Sequence, residues 1–195
     1  NAVTSSSVNV TVATEEGGVQ FQNGTRTTSS GVASFSSLVP AGLAGTYTLV
    51  FTADGLVPAV QEDSVTLIRG AAARLRLLTE PSVSAGSTQP FAQQPRVQVQ
   101  DVGGNPVSAA RTVSTTISTQ TPANGAVVGG GSIALGATDS VAVFDSLRIK
   151  GVAGDYRLVF TSSGLLPDTA LLPTALGGPG TASRLAFDTV PSTGT

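Results

Sequence analysis

Val32 to Pro58, VASFSSLVPAGLAGTYTLVFTADGLVP, returns 109 positions later as Val141 to Pro167, VAVFDSLRIKGVAGDYRLVFTSSGLLP, with 16 of 27 positions identical and no gap. A shorter echo follows each copy: Arg74 to Ser82 (RLRLLTEPS) returns as Arg184 to Ser192 (RLAFDTVPS), 110 positions on. A period of this length is one small domain. Working outward, the chain divides into residues 1–73, a repeat lacking its first strands, residues 74–183, a complete repeat, and residues 184–195, the opening strand of a further repeat. Asn1 to Thr4 aligns with Asn105 to Ser108, so the first repeat has no counterpart of Arg74 to Gly104. Two readings follow from this frame. Either the segment belongs to a longer tandem array, which is the favoured one, or separate subunits complete one another by strand addition.

Inside the repeated stretch, apolar residues alternate. Tyr47, Leu49 and Phe51, with their copies Tyr156, Leu158 and Phe160, read as one inward-facing strand per repeat, opened by the Gly45-Thr46 and Gly154-Asp155 turns. A Tyr entering a strand just after a Gly turn matches the tyrosine corner of Greek-key sandwiches, in which the hydroxyl returns to nearby backbone. Phe35 and Phe144 face inward, and a bend at Ser36-Ser37 and Asp145-Ser146 is needed to bring Leu38 and Leu147 to the same side. Tyr47, Tyr156, Phe51, Phe160, Phe35 and Phe144 are therefore assigned to the core. Pro58 and Pro167 mark turns, and Val65 to Ile68 and Ala170 to Leu176 supply last strands.

Elsewhere, Val8, Val10 and Val12 alternate with polar residues, Val19 to Gln22 is a short strand, and Asn23-Gly24 is a turn signal. In the second repeat Leu75 and Leu77, then Val97 and Val99, alternate with Arg and Gln. Pro81 to Pro95 shows little pattern, Asp101 to Pro106 (DVGGNP) is a turn, and Thr112 to Thr119 is a strand. Residues 121–139 read as a loop holding a hairpin around Ala126 to Leu135. Gly70 to Ala73 and Gly177 to Thr181 are short linkers, so neighbouring repeats should touch. The count is about seven strands in about 110 residues with no helix, which is an all-β fold of tandem immunoglobulin-like Greek-key β-sandwiches.

Composition excludes several functions. The chain has no His, Cys, Met or Trp, which removes imidazole and thiol chemistry, disulfides and the soft metal ligands together. Nine Arg and one Lys scattered among twelve acids leave a net charge of −2, so there is no basic stripe for nucleic acid. No apolar run reaches membrane-spanning length.

The order RLxLxTxPS, PxVxVxDxxGNPV, VAxFxSL, AGxYxLxF and GL, carried here by Arg74 to Ser82, Pro95 to Val107, Val141 to Leu147, Ala153 to Phe160 and Gly164-Leu165, resembles the bacterial immunoglobulin-like (Big-type) tandem repeats of large surface adhesins and secreted fibre proteins. The resemblance spans nearly the whole chain. It implies an extracellular or cell-surface setting and a stalk, spacer or tip role.

Candidate chemistry is sparse. Asp139, Asp145 and Asp155 have no nearby His, Lys or second acid in a recurrent arrangement, and two of them are Ser36 and Thr46 in the first copy; no catalytic residue is assigned and the chain is read as non-enzymatic. Asp101 with Asn105, or Glu62 with Asp63, is the nearest approach to a calcium ligand set, but the DVGGNP turn accounts for the first pair by itself. No cofactor is expected. Gly129 to Gly131 lacks the Lys and helix of a phosphate loop. Lys150, whose copy is Ala41, is read as a solvated Lys and not an isopeptide donor. Asn9-Val10-Thr11 and Asn23-Gly24-Thr25 match the N-glycosylation pattern. The expected role is a structural, non-catalytic segment of a bacterial surface stalk, adhesin or filament whose partners are neighbouring repeats or subunits, head to tail, with strand complementation as one form of contact. The alternatives are an adhesion module presenting loops 82–94 and 121–139 to a surface receptor or glycan, and a virion fibre or decoration protein.

Overall fold

A computed structural model describes residues 7–120 and 124–177. Among these residues there is no helix; every regular element is a β-strand. The N-terminal half contains β1 (Asn9–Thr14), β2 (Gln20–Gln22), β3 (Thr25–Thr27), β4 (Val39–Ala41), β5 (Gly45–Tyr47), β6 (Leu49–Thr52), β7 (Ala59–Val60) and β8 (Val65–Leu67). The C-terminal half contains β9 (Arg74–Thr79), β10 (Ser84–Ala85), β11 (Arg96–Gln100), β12 (Arg111–Ile117), β13 (Val127–Gly129), β14 (Ser132–Leu135), β15 (Val141–Val143), β16 (Arg148–Lys150), β17 (Gly154–Tyr156), β18 (Leu158–Thr161), β19 (Asp168–Thr169) and β20 (Thr174–Leu176).

The C-terminal half is an immunoglobulin-like Greek-key sandwich. One layer runs β14-β12-β18-β19; the other is made of β15-β11-β9, β13-β16 and β10-β20-β17. Most neighbours within a layer are not consecutive in sequence, and the chain crosses between layers from β11 to β12, β12 to β13, β13 to β14, β14 to β15, β17 to β18 and β19 to β20. The inward faces of both layers meet in one core, in which Val97, Val99, Val113, Leu147, Ile149 and Phe160 are fully buried. Phe144 and Phe160 meet edge to face at 5.7 Å between ring centres, the geometry that ring quadrupoles favour.

The N-terminal half repeats this topology with part of one layer missing. Its sheet β3-β1-β6-β7 matches β14-β12-β18-β19, β2-β4 matches β13-β16, and β5-β8 matches β17-β20. Residues 32–34, the copy of β15, form no strand, and nothing among the described residues corresponds to β9, β10 or β11. The aromatic pair recurs as Phe35 and Phe51, with ring centres 5.6 Å apart, but these two and Tyr47 are only half-buried, where Phe144, Phe160 and Tyr156 are at most 1% exposed. The core assignment of the six aromatics therefore holds fully for one copy and in part for the other. The physical reason is that half a sandwich has nothing to press its inner face against.

Several strand readings need correction. The stretch from Tyr47 to Phe51 is not one strand: Tyr47 lies in β5, which pairs with β8, whereas Leu49 and Phe51 lie in β6, which pairs with β1 and β7. The chain crosses between layers at Thr48, and its copy does so at Arg157. The hairpin expected around Ala126 to Leu135 does not form, because β13 pairs with β16 and β14 with β12. Asn23 takes the positive φ of a turn, but Gly24 does not, and the flanking β2 and β3 join different sheets. The bends after Phe35 and Phe144 are present, and Phe144 and Leu147 both point inward. The echo at Arg184 to Ser192 lies outside the described residues.

The tyrosine corner is formed twice. Tyr47 Oη donates to the Leu43 carbonyl at 2.8 Å, and Tyr156 Oη to the Val152 carbonyl at 2.9 Å. Tyr156→Phe removes the bond of a buried hydroxyl and should cost about 1 kcal/mol in urea unfolding; Tyr47→Phe, at a wetter site, should cost less.

Candidate functional site: the junction between the halves

No strand pairing joins the two halves among the described residues. They meet through the DVGGNP turn, which the end of β11 holds rigid. The Asp101 amide donates to the Asn105 carbonyl at 3.0 Å, the Gly104 amide to the Asp101 carbonyl at 3.2 Å, and the Val107 amide to the Val99 carbonyl at 2.9 Å. Gly104 has φ +93°, a conformation that side chains resist. This places Gly103 and Asn105 against the corner of the N-terminal half that Tyr47 holds in shape.

At the contact, the Asn105 carboxamide bridges two backbone groups of that corner. Its Nδ2 donates to the Gly42 carbonyl at 3.0 Å, and its Oδ1 accepts from the Ala44 amide at 2.6 Å. Nδ2 also donates to Asp101 Oδ2 at 2.9 Å, which orients the amide. The Asp101 carboxylate accepts from the Asn105 amide at 2.8 Å and, through Oδ2, from the linker Gly70 amide at 2.7 Å. One carboxylate thus holds the turn and the linker together. Asp101 and Asn105 are both 4% exposed, and buried polar groups are tolerated where their bonding capacity is met in this way.

In this arrangement Asp101 and Asn105, the nearest approach to a calcium pair in the sequence, are engaged with protein donors. Their oxygens face N–H donors, as in an anion receptor, whereas a hard cation needs converging oxygens. Among the described residues no three acids approach one another closely enough to hold a metal ion. Glu62, Asp63, Asp145, Asp155 and Lys150 are exposed, and Asp139 accepts from the Gly136 amide within its own turn. Asp168, which carries no motif, accepts from the Leu77 amide at 2.7 Å and ties β19 to β9.

The loop 82–94 is anchored at two points, while Val83, Ser84, Gly86, Thr88, Gln89, Pro90, Ala92 and Gln93 are exposed. It contains β10, which pairs in parallel with β20, and Phe91, which is 3% exposed and joins the core. Gln94 locks it further: Leu147 donates its amide to Gln94 Oε1 at 3.0 Å. Within residues 121–139, β14 is built into a sheet and Leu135 is buried.

Electrostatics at the junction set its pH range. Burial alone would push the Asp101 carboxyl up, but the donors from Gly70, Asn105 and Gly104 outweigh it and hold the group below the usual carboxylate range. A depressed folded pKa means that the unfolded chain takes up the proton first, so the stabilisation is complete above the ordinary Asp pKa of about 4 and is lost as pH falls through the lower folded value. Amide exchange at Gly70 and Ala44 should therefore be slow and flat from pH 7 to about 5, after allowance for intrinsic rates, and lose protection below about pH 4. Asp101→Asn should abolish that protection at every pH.

A close approach of backbones completes the contact. A Cβ on Gly103 would overlap the Gly42 carbonyl oxygen and lie 3.0 Å from the Gly42 nitrogen. Beside it opens an apolar cleft of about 500 Å³ whose walls include Pro40, Leu67, Ile68, Ala71 and Val102. Val102, 70% exposed, stands at its mouth.

No protein-family model matches this chain, and no curated protein does. Among solved structures, the chain is similar to a β-glycosidase from Bacteroides vulgatus, at 12% identity over 85% of this chain and 21% of that one, with a TM-score of 0.41. It is also similar to the adhesin InvE of Yersinia pseudotuberculosis, at 14% identity over 96% of this chain and 57% of that one, with a TM-score of 0.41. The chain spans about a fifth of the first protein and somewhat more than half of the second.

Proposed function

We propose that this chain is a structural, non-catalytic segment of a tandem immunoglobulin-like array, a stalk or filament at a bacterial cell surface whose work is reach and mechanical continuity. The observation that carries this reading is the junction: two copies of one repeat are held end to end by a buried Asp–Asn pair bonded to backbone on both sides. Free linkers need no such pair, and a spacer that must resist bending does. The half-buried Phe35 and Phe51 of the N-terminal half agree with it, since strands like β9 and β11 from a preceding repeat or neighbouring subunit would cover them. The residue pattern shared with bacterial immunoglobulin-like repeats supports the extracellular setting.

The test is the intact mass of the native protein together with electron microscopy of the same sample. Beaded threads with a regular repeat spacing are expected. Isolated globular particles that bind a surface glycan or receptor with micromolar affinity or better would overturn the stalk reading.

A further inference from the structure

The corner that receives Asn105 exists a second time. Gly42, Leu43, Ala44 and Tyr47 correspond to Gly151, Val152, Ala153 and Tyr156, and the two tyrosine hydroxyls pin the two corners in the same way. The inner side of each glycine is also closed alike: a Cβ on Gly42 would meet Gly18 and Val19, and one on Gly151 would meet Ala126. In the N-terminal half the outer side is filled by the DVGGNP turn. In the C-terminal half Ala153 is exposed, and its amide has no partner among the described residues. The Gly151 carbonyl accepts from Ser87 Oγ at 3.0 Å, which leaves its second lone pair for another donor. An open cleft of about 500 Å³, bounded by Thr88, Asn124, Lys150 and Val152, adjoins it.

We propose that the Gly151–Ala153 corner is a socket for the Asp-x-Gly-Gly-Asn-Pro turn of a following repeat. The Asn carboxamide of that turn donates to the Gly151 carbonyl and accepts from the Ala153 amide, as Asn105 does at Gly42 and Ala44. One polar latch then recurs along the array and fixes the angle between successive repeats. This inference rests on the tandem-array reading and adds to it the chemistry of the contact.

The experiment replaces residues 184–195 of the full chain with a second copy of residues 74–177 and follows amide exchange by nuclear magnetic resonance. In the unextended chain Ala44 should exchange slowly and Ala153 as an open amide. In the extended chain Ala153 should slow at least about tenfold, and lose that protection when the Asn of the added turn is replaced by Ala or its first Gly after Val by Ala. Two variants, each checked for protected core amides in the added copy, separate loss of the latch from loss of folding. Unchanged Ala153 exchange beside a folded added copy overturns the proposal, as does slowing that survives both substitutions. The array reading fails separately, by the microscopy of the native protein, whatever Ala153 does.

Discussion

Phe160→Ala should cost about 3–5 kcal/mol of stability in the C-terminal half, while the same substitution at Phe51, its copy, should cost less than half as much. The two residues share sequence context, strand and aromatic partner. What differs is the opposite wall. Phe160 is fully enclosed among Leu75, Leu77, Val97 and Val99 of the β9 and β11 sheet and their neighbours, so deleting its ring leaves a cavity that close-packed strands cannot collapse. Phe51 has no such sheet above it among the described residues and is part-exposed, so some of its transfer term was never gained and the space its ring leaves can be met by solvent. Urea unfolding can read the halves separately, because the chain has no Trp and just two Tyr, one per half. In a Tyr156→Phe background Tyr47 reports the N-terminal half, and in a Tyr47→Phe background Tyr156 reports the other. Equal costs at Phe51 and Phe160 would show that the N-terminal half is covered in solution by strands of a neighbour.

Asn105→Ala and Gly103→Ala should each uncouple the halves. The first removes three hydrogen bonds at once, to Gly42, Ala44 and Asp101, and leaves a buried carboxylate with fewer donors. Such losses cost about 1–3 kcal/mol for each group left unsatisfied, and the two bonds to Gly42 and Ala44 are the ones that fall on the contact between the halves. The second leaves every polar group in place but inserts a methyl where the Gly42 peptide lies, so the turn must stand off its corner. Both variants should keep the unfolding midpoint of the C-terminal half within about 0.5 kcal/mol when read through Tyr156. Both should speed exchange at Ala44 and lower the midpoint reported by Tyr47. Small-angle scattering should show a broader distribution of interdomain angles. A midpoint at Tyr156 that falls as far as that at Tyr47 would mean that the turn stabilises its own half, not the junction.

How much was legible from residue order follows from the range of each interaction. Alternation at Leu75 and Leu77, at Val97 and Val99, and at Leu158 and Phe160 gives strands whose inward faces are the ones buried, because side-chain direction in an extended chain has period two wherever that chain goes. The tyrosine corners were equally legible, since Oη reaches a carbonyl only four residues back. Partner choice was not. β13 and β14 look like a hairpin from their spacing, and Tyr47 to Phe51 looks like one strand, yet each splits between layers because the core is filled only when strands at remote positions pair.

Residue order alone therefore dictates the repeat, the all-β character, the inward faces and the exclusion of thiol and imidazole chemistry, all of which are properties of composition or of a few consecutive residues. Tertiary structure alone decided that Asp101 and Asn105 form a latch. A DVGGNP turn has the same backbone pattern whether its far side meets water or another domain. The groups that complete it, Gly42 and Ala44, lie 63 and 61 positions away, at a distance that no local preference can span and that only the docking of one folded half on the other can close.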